Sequence, residues 1–301
     1  EDQARLDLAQ LVAEGDRLAF STDSYVIDPL FFPGGNIGKL AICGTANDVA
    51  VSGAIPRYLS CGFILEEGLP METLKAVVTS MAETARAAGI AIVTGDTKVV
   101  QRGAVDKLFI NTAGMGAIPA NIHWGAQTLT AGDVLLVSGT LGDHGATILN
   151  LREQLGLDGE LVSDCAVLTP LIQTLRDIPG VKALRDATRG GVNAVVHEFA
   201  AACGCGIEIS EAALPVKPAV RGVCELLGLD ALNFANEGKL VIAVERNAAE
   251  QVLAALHSHP LGKDAALIGE VVERKGVRLA GLYGVKRTLD LPHAEPLPRI
   301  C

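Results

Sequence analysis

The sequence predicts two mixed α+β domains in tandem, followed by an extended proline-rich tail. Three observations carry that expectation. The chain has 301 residues, about twice the ~150 that one domain usually takes. Short apolar runs alternate with alanine-rich stretches of helical period on both sides of the middle of the chain. The alternation breaks once over residues 118–133, where Pro119, Asn121, Gly125 and Gly132 cluster. The expected layout is 1–120, 121–290 and a tail over 291–301. A content of 49% hydrophobic and 20% charged residues is that of a folded globular chain and excludes a disordered one.

In the first domain, runs at 18–21 and 24–27 read as strands flanking Thr22-Asp23, and 37–53 as a helix of small residues. Residues 58–65 read as a buried strand. Leu74, Val77, Val78, Met81 and Ala85 recur at helical spacing, which predicts a helix over 71–88, and Gly89 is placed to end it. Strands follow at 90–94 and 108–116. In the second domain the expectation is a strand at 134–138, helices near 144–155 and 163–176, and a helix at 192–202 entered from a glycine pair. A strand at 207–209, a helix at 220–227, a strand at 240–244, a helix at 248–256 and a strand at 265–272 follow. Pro292, Pro296 and Pro298 bar the tail from helix and inner strand. Its eleven residues would reach about 34 Å in polyproline geometry, far enough to carry the terminal Cys301 thiol into a site elsewhere.

Thirty-five acidic against twenty-five basic residues leave a net charge of −10, which argues against nucleic acid or an anionic membrane as partner. No apolar run approaches the ~20 residues that cross a bilayer, so a cytoplasmic protein is expected. Seven cysteines, an odd number in a long apolar-rich chain, fit reduced thiols better than a disulfide framework. Cys43, Cys61, Cys165 and Cys224 sit in apolar surroundings and read as core. The chain has no initiator Met and opens within an amphipathic stretch over residues 1–14, so further residues are expected before Glu1.

The common nucleotide signatures are absent. Three acidic segments stand out instead: Asp23, the pair Asn47-Asp48, and Gly95-Asp96-Thr97-Lys98. Hard oxygen donors converging from several loops suit Mg²⁺ on a polyphosphate, and the same residues suit caps and turns. Arg185-Asp186-Ala187-Thr188-Arg189-Gly190-Gly191 looks like a phosphate cradle, because a glycine pair opening a helix offers backbone N–H groups and arginine adds charge. Glu237, before the apolar run 240–244, reads either as a general base or as a turn residue. His144 either touches phosphate or starts a helix. Cys203 and Cys205 lack zinc-site spacing.

The segments DSYVIDPLFFPGG (23–35), FILEEGLP (63–70), TGDTKVV (94–100), TRGG (188–191), NEGK (236–239) and the ending PRIC (298–301) resemble the HypE family. Its members are the carbamoyl dehydratases of [NiFe]-hydrogenase maturation, and the likeness is greatest to enterobacterial forms. The family lies in the ATP-binding superfamily of aminoimidazole ribonucleotide synthetase and selenophosphate synthetase. The resemblance implies an N-terminal mixed-sheet domain that binds ATP and dimerises, and a C-terminal α+β domain. It implies Asp23, Asp48, Asp96 and Asp186 as Mg²⁺ ligands. Asn47, Lys98, Thr188, Arg189, Gly190 and Gly191 join the three leading aspartates at ATP.

The family's glycine-rich opening stretch, which closes over the phosphates, is missing from this chain. HypF is implied as donor of a carbamoyl group to Cys301. Phosphorylation of the carbonyl oxygen and loss of phosphate would then leave a thiocyanate, whose cyanide passes to the HypC–HypD complex. Glu237 is implied as the base, with His144 behind it, and Lys98 as a neutraliser of phosphate charge. Two other readings compete: a synthetase of the same superfamily acting on another small amide or on selenide, and a non-catalytic maturation scaffold. Neither uses both the acidic segments and the terminal cysteine.

Overall fold

The computed structural model describes residues 3–157, 159–292 and 298–301. Pro296 of the expected tail lies outside the described residues, as do the first two residues of the opening stretch. The chain divides into two compact units, one of residues 1–122, 165–169 and 299–301, the other of 123–164 and 170–298. The break falls within the stretch where periodicity fails. The end of the expected tail is part of the first unit.

The first unit runs α1 (Leu8–Glu14), β1 (Arg17–Tyr25), β2 (Phe31–Phe32), β3 (Gly35–Asn36), α2 (Ile37–Ala50), β4 (Ile55–Glu66), α3 (Met71–Ala88), β5 (Ala91–Val100) and β6 (Leu108–Ile118). Its sheet has the order β1-β6-β4-β5, antiparallel except for the β4–β5 pair. Helix α3 has the predicted bounds, and Gly89 ends it in the left-handed region at φ 67°. Helix α2 is buried on nearly every side, which its small residues allow, and it packs on β1 and β6. Asn36 caps it by accepting from the N–H groups of Gly38 and Lys39 at 2.8 and 3.1 Å.

Two segments read as acidic turns are strand interior. Thr22-Asp23 lies inside β1, and Gly95-Asp96-Thr97-Lys98 inside β5. β1 and β5 are the edge strands of this sheet, and pairing of one side of each, with β6 and with β4, overrides the turn preference of Asp and Gly.

The second unit contains β7 (Val134–Val137), α4 (Asp143–Glu153), α5 (Thr169–Gln173), β8 (Val181–Asp186), α6 (Gly191–Cys203), β9 (Gly206–Ser210), α7 (Pro218–Leu227), β10 (Leu240–Val244), α8 (Ala249–His257), β11 (Ala266–Val272), β12 (Gly276–Ala280) and β13 (Lys286–Thr288). The first residue of α5, Thr169, is counted with the first unit. The sheet order is β13-β12-β9-β11-β7-β10-β8. Every residue of β7 and β10 is buried, as continuous apolar runs require when both faces are covered.

The helix expected over 163–176 shrinks to α5. Pro170 sits in its first turn, and the residues before it spend their polar groups on other segments. No helix among the described residues is long and apolar enough to cross a membrane.

Candidate functional site

In the first unit, strand alternation sorts the acidic residues by sheet face. Asp23 pairs with Thr112, Thr112 with Cys61 and Cys61 with Gly95, so these share the face on α2. Ser24, Asn111, Gly62 and Asp96 are the next row and share the opposite, open face. Asp23 and Asp96 thus take opposite faces of the sheet. Among the described residues no three His, Cys, Asp or Glu side chains converge. Asp186 belongs to the second unit, where it is buried with Arg185 Nε 3.9 Å away.

The face on α2 is the organised one. Ser21 Oγ donates to Asp48 Oδ2 at 2.7 Å. Tyr25 Oη lies 3.4 Å from Asp23 Oδ2 and 3.1 Å from Thr45 Oγ1. Thr45 Oγ1 is 2.5 Å from Thr112 Oγ1, which donates to the Ala41 carbonyl at 3.1 Å. With the Thr112 proton spent on Ala41, Thr45 donates to Thr112, and the chain of hydroxyls fixes Tyr25 beneath Asp23. Gly44 makes room for it, since a Cβ there would stand 2.4 Å from Tyr25 Oη. Thr45 and Asp48 are one helical turn apart on α2, so Asp23 and Asp48 line the same strip between strand and helix. Both are half-buried. Asn47 is employed differently. It is buried, its Nδ2 donates to the Ala166 carbonyl at 3.0 Å and its Oδ1 accepts from Leu168 N–H at 2.8 Å, which fastens residues 165–169 to this unit.

On the open face Asp96 and Lys98 pair at 3.3 Å, both exposed. The hydrogen bond from Lys98, then that from Thr97 N–H, hold the Asp96 carboxyl below its ordinary range. Leu18, Phe20 and Ile64 share this face at 57%, 67% and 42% exposure.

Cys301 lies in the first unit. Val26 N–H donates to its main-chain oxygen at 2.9 Å, and Asp28 N–H to the Arg299 carbonyl at 3.4 Å, an antiparallel pairing that buries Ile300. Val26 follows Asp23 by three residues, at most about 10 Å of extended chain. The cysteine that ends the sequence is therefore held beside the acidic strip.

In the second unit, β8 ends at Asp186 and α6 begins at Gly191, with Thr188, Arg189 and Gly190 between. Gly190 and Gly191 have φ of 76° and 61°, and a Cβ on Gly191 would stand 2.4 Å from the Leu232 carbonyl, so glycine is required there. Asn236 fixes this turn. Its N–H and Nδ2 both donate to the Ala187 carbonyl, at 2.9 and 3.0 Å, and its Oδ1 accepts from Gly142 N–H at 2.7 Å. The neighbouring Glu237 and His144 are both buried. His144 Nδ1 is 2.7 Å from Ser163 Oγ. Asp164, the next residue, accepts from Glu237 N–H at 3.0 Å and Gly238 N–H at 3.2 Å, and pairs with Lys239 Nζ at 3.3 Å. Residues 163–164 thus bring Glu237 and His144 to one place. Sequence reasoning missed Asp164, because the helix expected there hid it. It also missed Thr45 and Thr112, which stand in no motif, and Tyr25, which stands in the 23–35 segment but was given no role there. Cys224, read as core, is half-buried and lines a cavity with Arg221, Glu225 and Asp230.

Comparison with known proteins gives the family. Residues 1–118 match the N-terminal domain, and residues 130–281 the C-terminal domain, of AIR synthase related proteins. Carbamoyl dehydratase HypE of Rhodobacter capsulatus is 51% identical, the alignment covering 100% of this chain and 89% of that protein. The crystal structure of E. coli HypE is 98% identical with a TM-score of 0.99, covering 100% of this chain and 94% of that one. A HypE structure in complex with ATP is 46% identical (TM-score 0.94, covering 100% and 90%). A chain of a HypE–HypF complex is 48% identical (TM-score 0.89, covering 91% and 90%).

Proposed function

We infer the activity of this chain from the fact that it belongs to the HypE family of carbamoyl dehydratases, and we propose how its residues divide the work. It is an ATP-dependent enzyme of hydrogenase maturation that removes water from a carbamoyl group. HypF is its partner. The observation that carries the assignment of residues is the main-chain pairing of Cys301 with Val26, three residues after Asp23 in the first unit.

In this reading the Cys301 sulfur carries the carbamoyl group, and antiparallel pairing with Val26 and Asp28 holds it in place, so the reaction becomes an intramolecular one. Dehydration breaks the carbon–oxygen bond and removes both protons from nitrogen, leaving a thiocyanate on Cys301. ATP supplies the phosphoryl group that lets the oxygen leave as phosphate. Asp23 and Asp48, with hydroxyl groups behind both, are a set of hard oxygen donors that fits Mg²⁺; the ion when bound would neutralise phosphate charge. Asp96 and Lys98 are the further candidates on the open face. Thr188, Arg189 and the N–H groups at Gly190 and Gly191 form a turn suited to a phosphate. Glu237 is the base we assign, with His144 beside it and Asp164 fixing the backbone of both Glu237 and Gly238. The cyanide acceptor is the HypC–HypD complex. A homodimer across the open face would cover Leu18, Phe20 and Ile64 with one self-complementary patch.

Peptide-resolved mass spectrometry tests the assignment. The full chain, incubated with HypF, carbamoyl phosphate and ATP, should show a carbamoyl mass on the C-terminal peptide and then the loss of one water. Cys301→Ala should retain the fold and show neither change. Dehydration by that variant would overturn the carrier role.

A further inference from the structure

The loop between β5 and β6 is built around the last residues of the chain. Glu66, at the end of β4, accepts from Gly103 N–H at 2.7 Å and from Lys107 N–H at 3.1 Å, while its own N–H donates to the Lys107 carbonyl at 2.9 Å. These bonds hold Lys107 at φ 64°, a left-handed conformation that a lysine adopts at some cost. The turn so formed presents two neighbouring charges to the terminal segment and its pairing partner. Asp106 Oδ2 accepts from the Arg299 guanidinium at 2.9 Å, and Lys107 Nζ donates to Asp28 Oδ1 at 2.8 Å. Arg299 in turn donates from Nε to the Val26 carbonyl at 3.0 Å. The ion pair and the two main-chain bonds to Val26 and Asp28 therefore grip the same three residues, 299–301. Arg299 itself has φ 55°, so the last turn of the chain is shaped to the loop as the loop is shaped to it.

We propose that Asp106 is a positioning residue that clasps Arg299 and so sets the fraction of molecules whose Cys301 sulfur is docked. The proposal rests on the carrier role of Cys301. A clasp of this kind has a mechanistic use, since a thiol that must be loaded by a partner and then returned to its own domain needs a docked state of moderate strength. A half-exposed ion pair is of that strength, for it contributes little enough to open readily. Glu66 and Lys107 act earlier in the chain of cause, by giving the loop its form.

The test measures the alkylation rate of each cysteine of the full chain with iodoacetamide at neutral pH, resolved by peptide mass spectrometry. Burial pushes the thiols of Cys61 and Cys224 up to about 11, so both serve as slow internal references. Asp106→Ala and Asp106→Asn should each speed alkylation of Cys301 by about two- to fivefold, the range of a half-exposed ion pair, and leave the references unchanged. Asp106→Arg combined with Arg299→Asp should return the rate toward that of the parent. After loading by HypF, the dehydration step of Asp106→Asn should slow while loading does not. Cys301 alkylation unchanged in both single variants would overturn the clasp. If the parent chain itself neither loads nor dehydrates, the carrier role has failed, and the alkylation rates still report whether the clasp exists.

Discussion

Asp48 of the first unit and Asp164 of the second each stand in a short polar run, yet the protein uses them in different ways. Asp164 has a side chain only 3% exposed and is surrounded by donors: two N–H groups of the 237–238 turn and the ammonium of Lys239. Asp48 is half-buried and, among the described residues, takes one hydrogen bond, from Ser21. A carboxylate has about four acceptor sites. Three of those of Asp164 are given to its own chain, and most of those of Asp48 are left for something else. The first kind of acid holds a site in shape, and the second kind is available to bind. The same contrast separates Asn47, whose carboxamide is consumed by Ala166 and Leu168, from Asp48 immediately after it.

The largest effect is therefore expected at Asp164. Replacing it by Ala leaves two buried N–H groups and a nearly buried ammonium without their partner, which costs about 3 kcal/mol. Denaturant unfolding of Asp164→Ala should show that loss, and turnover should fall with it because the Glu237 turn is released. A variant as stable as the parent would mean that water or a rearranged Lys239 replaces the carboxylate, and the distinction between holding and binding acids would fail at its clearest member.

Much of this contrast is hidden in the sequence. Helix α3, strand β10 and the break near residue 120 were legible, because each rests on local signals: helical period closed by Gly89, a continuous apolar run, and clustered Pro and Gly. What was not legible is which sheet face each aspartate takes, since Asp23 and Asp96 sit in strands whose neighbours, not their own residues, override the turn reading. The role of Asp164 was equally invisible, because it depends on the 237–238 turn more than seventy residues away. Strands β8 and β12 show no clear strand signal because lysine or arginine interrupts their apolar residues, and β13 has no apolar residue at all.

Asp48→Asn should give the opposite signature to Asp164→Ala. Shape and the Ser21 contact are kept, so stability should stay within about 0.5 kcal/mol of the parent. ATP-dependent dehydration should fall by about a hundredfold, the usual scale for deleting one charge that stabilises a transition state. Paired measurement of unfolding and turnover checks it. Equal loss of both would place Asp48 with the structural acids.

The smallest effect concerns a thiol on the same sheet face as Asp23. Cys61 is buried between β6 and β5, and burial alone raises its thiol from 9.0 to about 11. Between those values the unfolded chain has lost the proton and the folded chain keeps it, so the folded state binds more protons and stability falls as pH rises. Below about pH 9 both states are protonated and the group contributes no slope. Across the window the loss should approach about 2 kcal/mol, because each tenfold difference in proton affinity corresponds to about 1.4 kcal/mol and partial hydration reduces the total. Unfolding measured at pH 8, 9, 10 and 11 should therefore steepen from pH 9 upward, and Cys61→Ala, though less stable throughout, should lose that share of the slope. An unchanged slope in the variant would mean that water reaches Cys61, and that the face holding Asp23 and Asp48 is wetter at its centre than its packing against α2 implies.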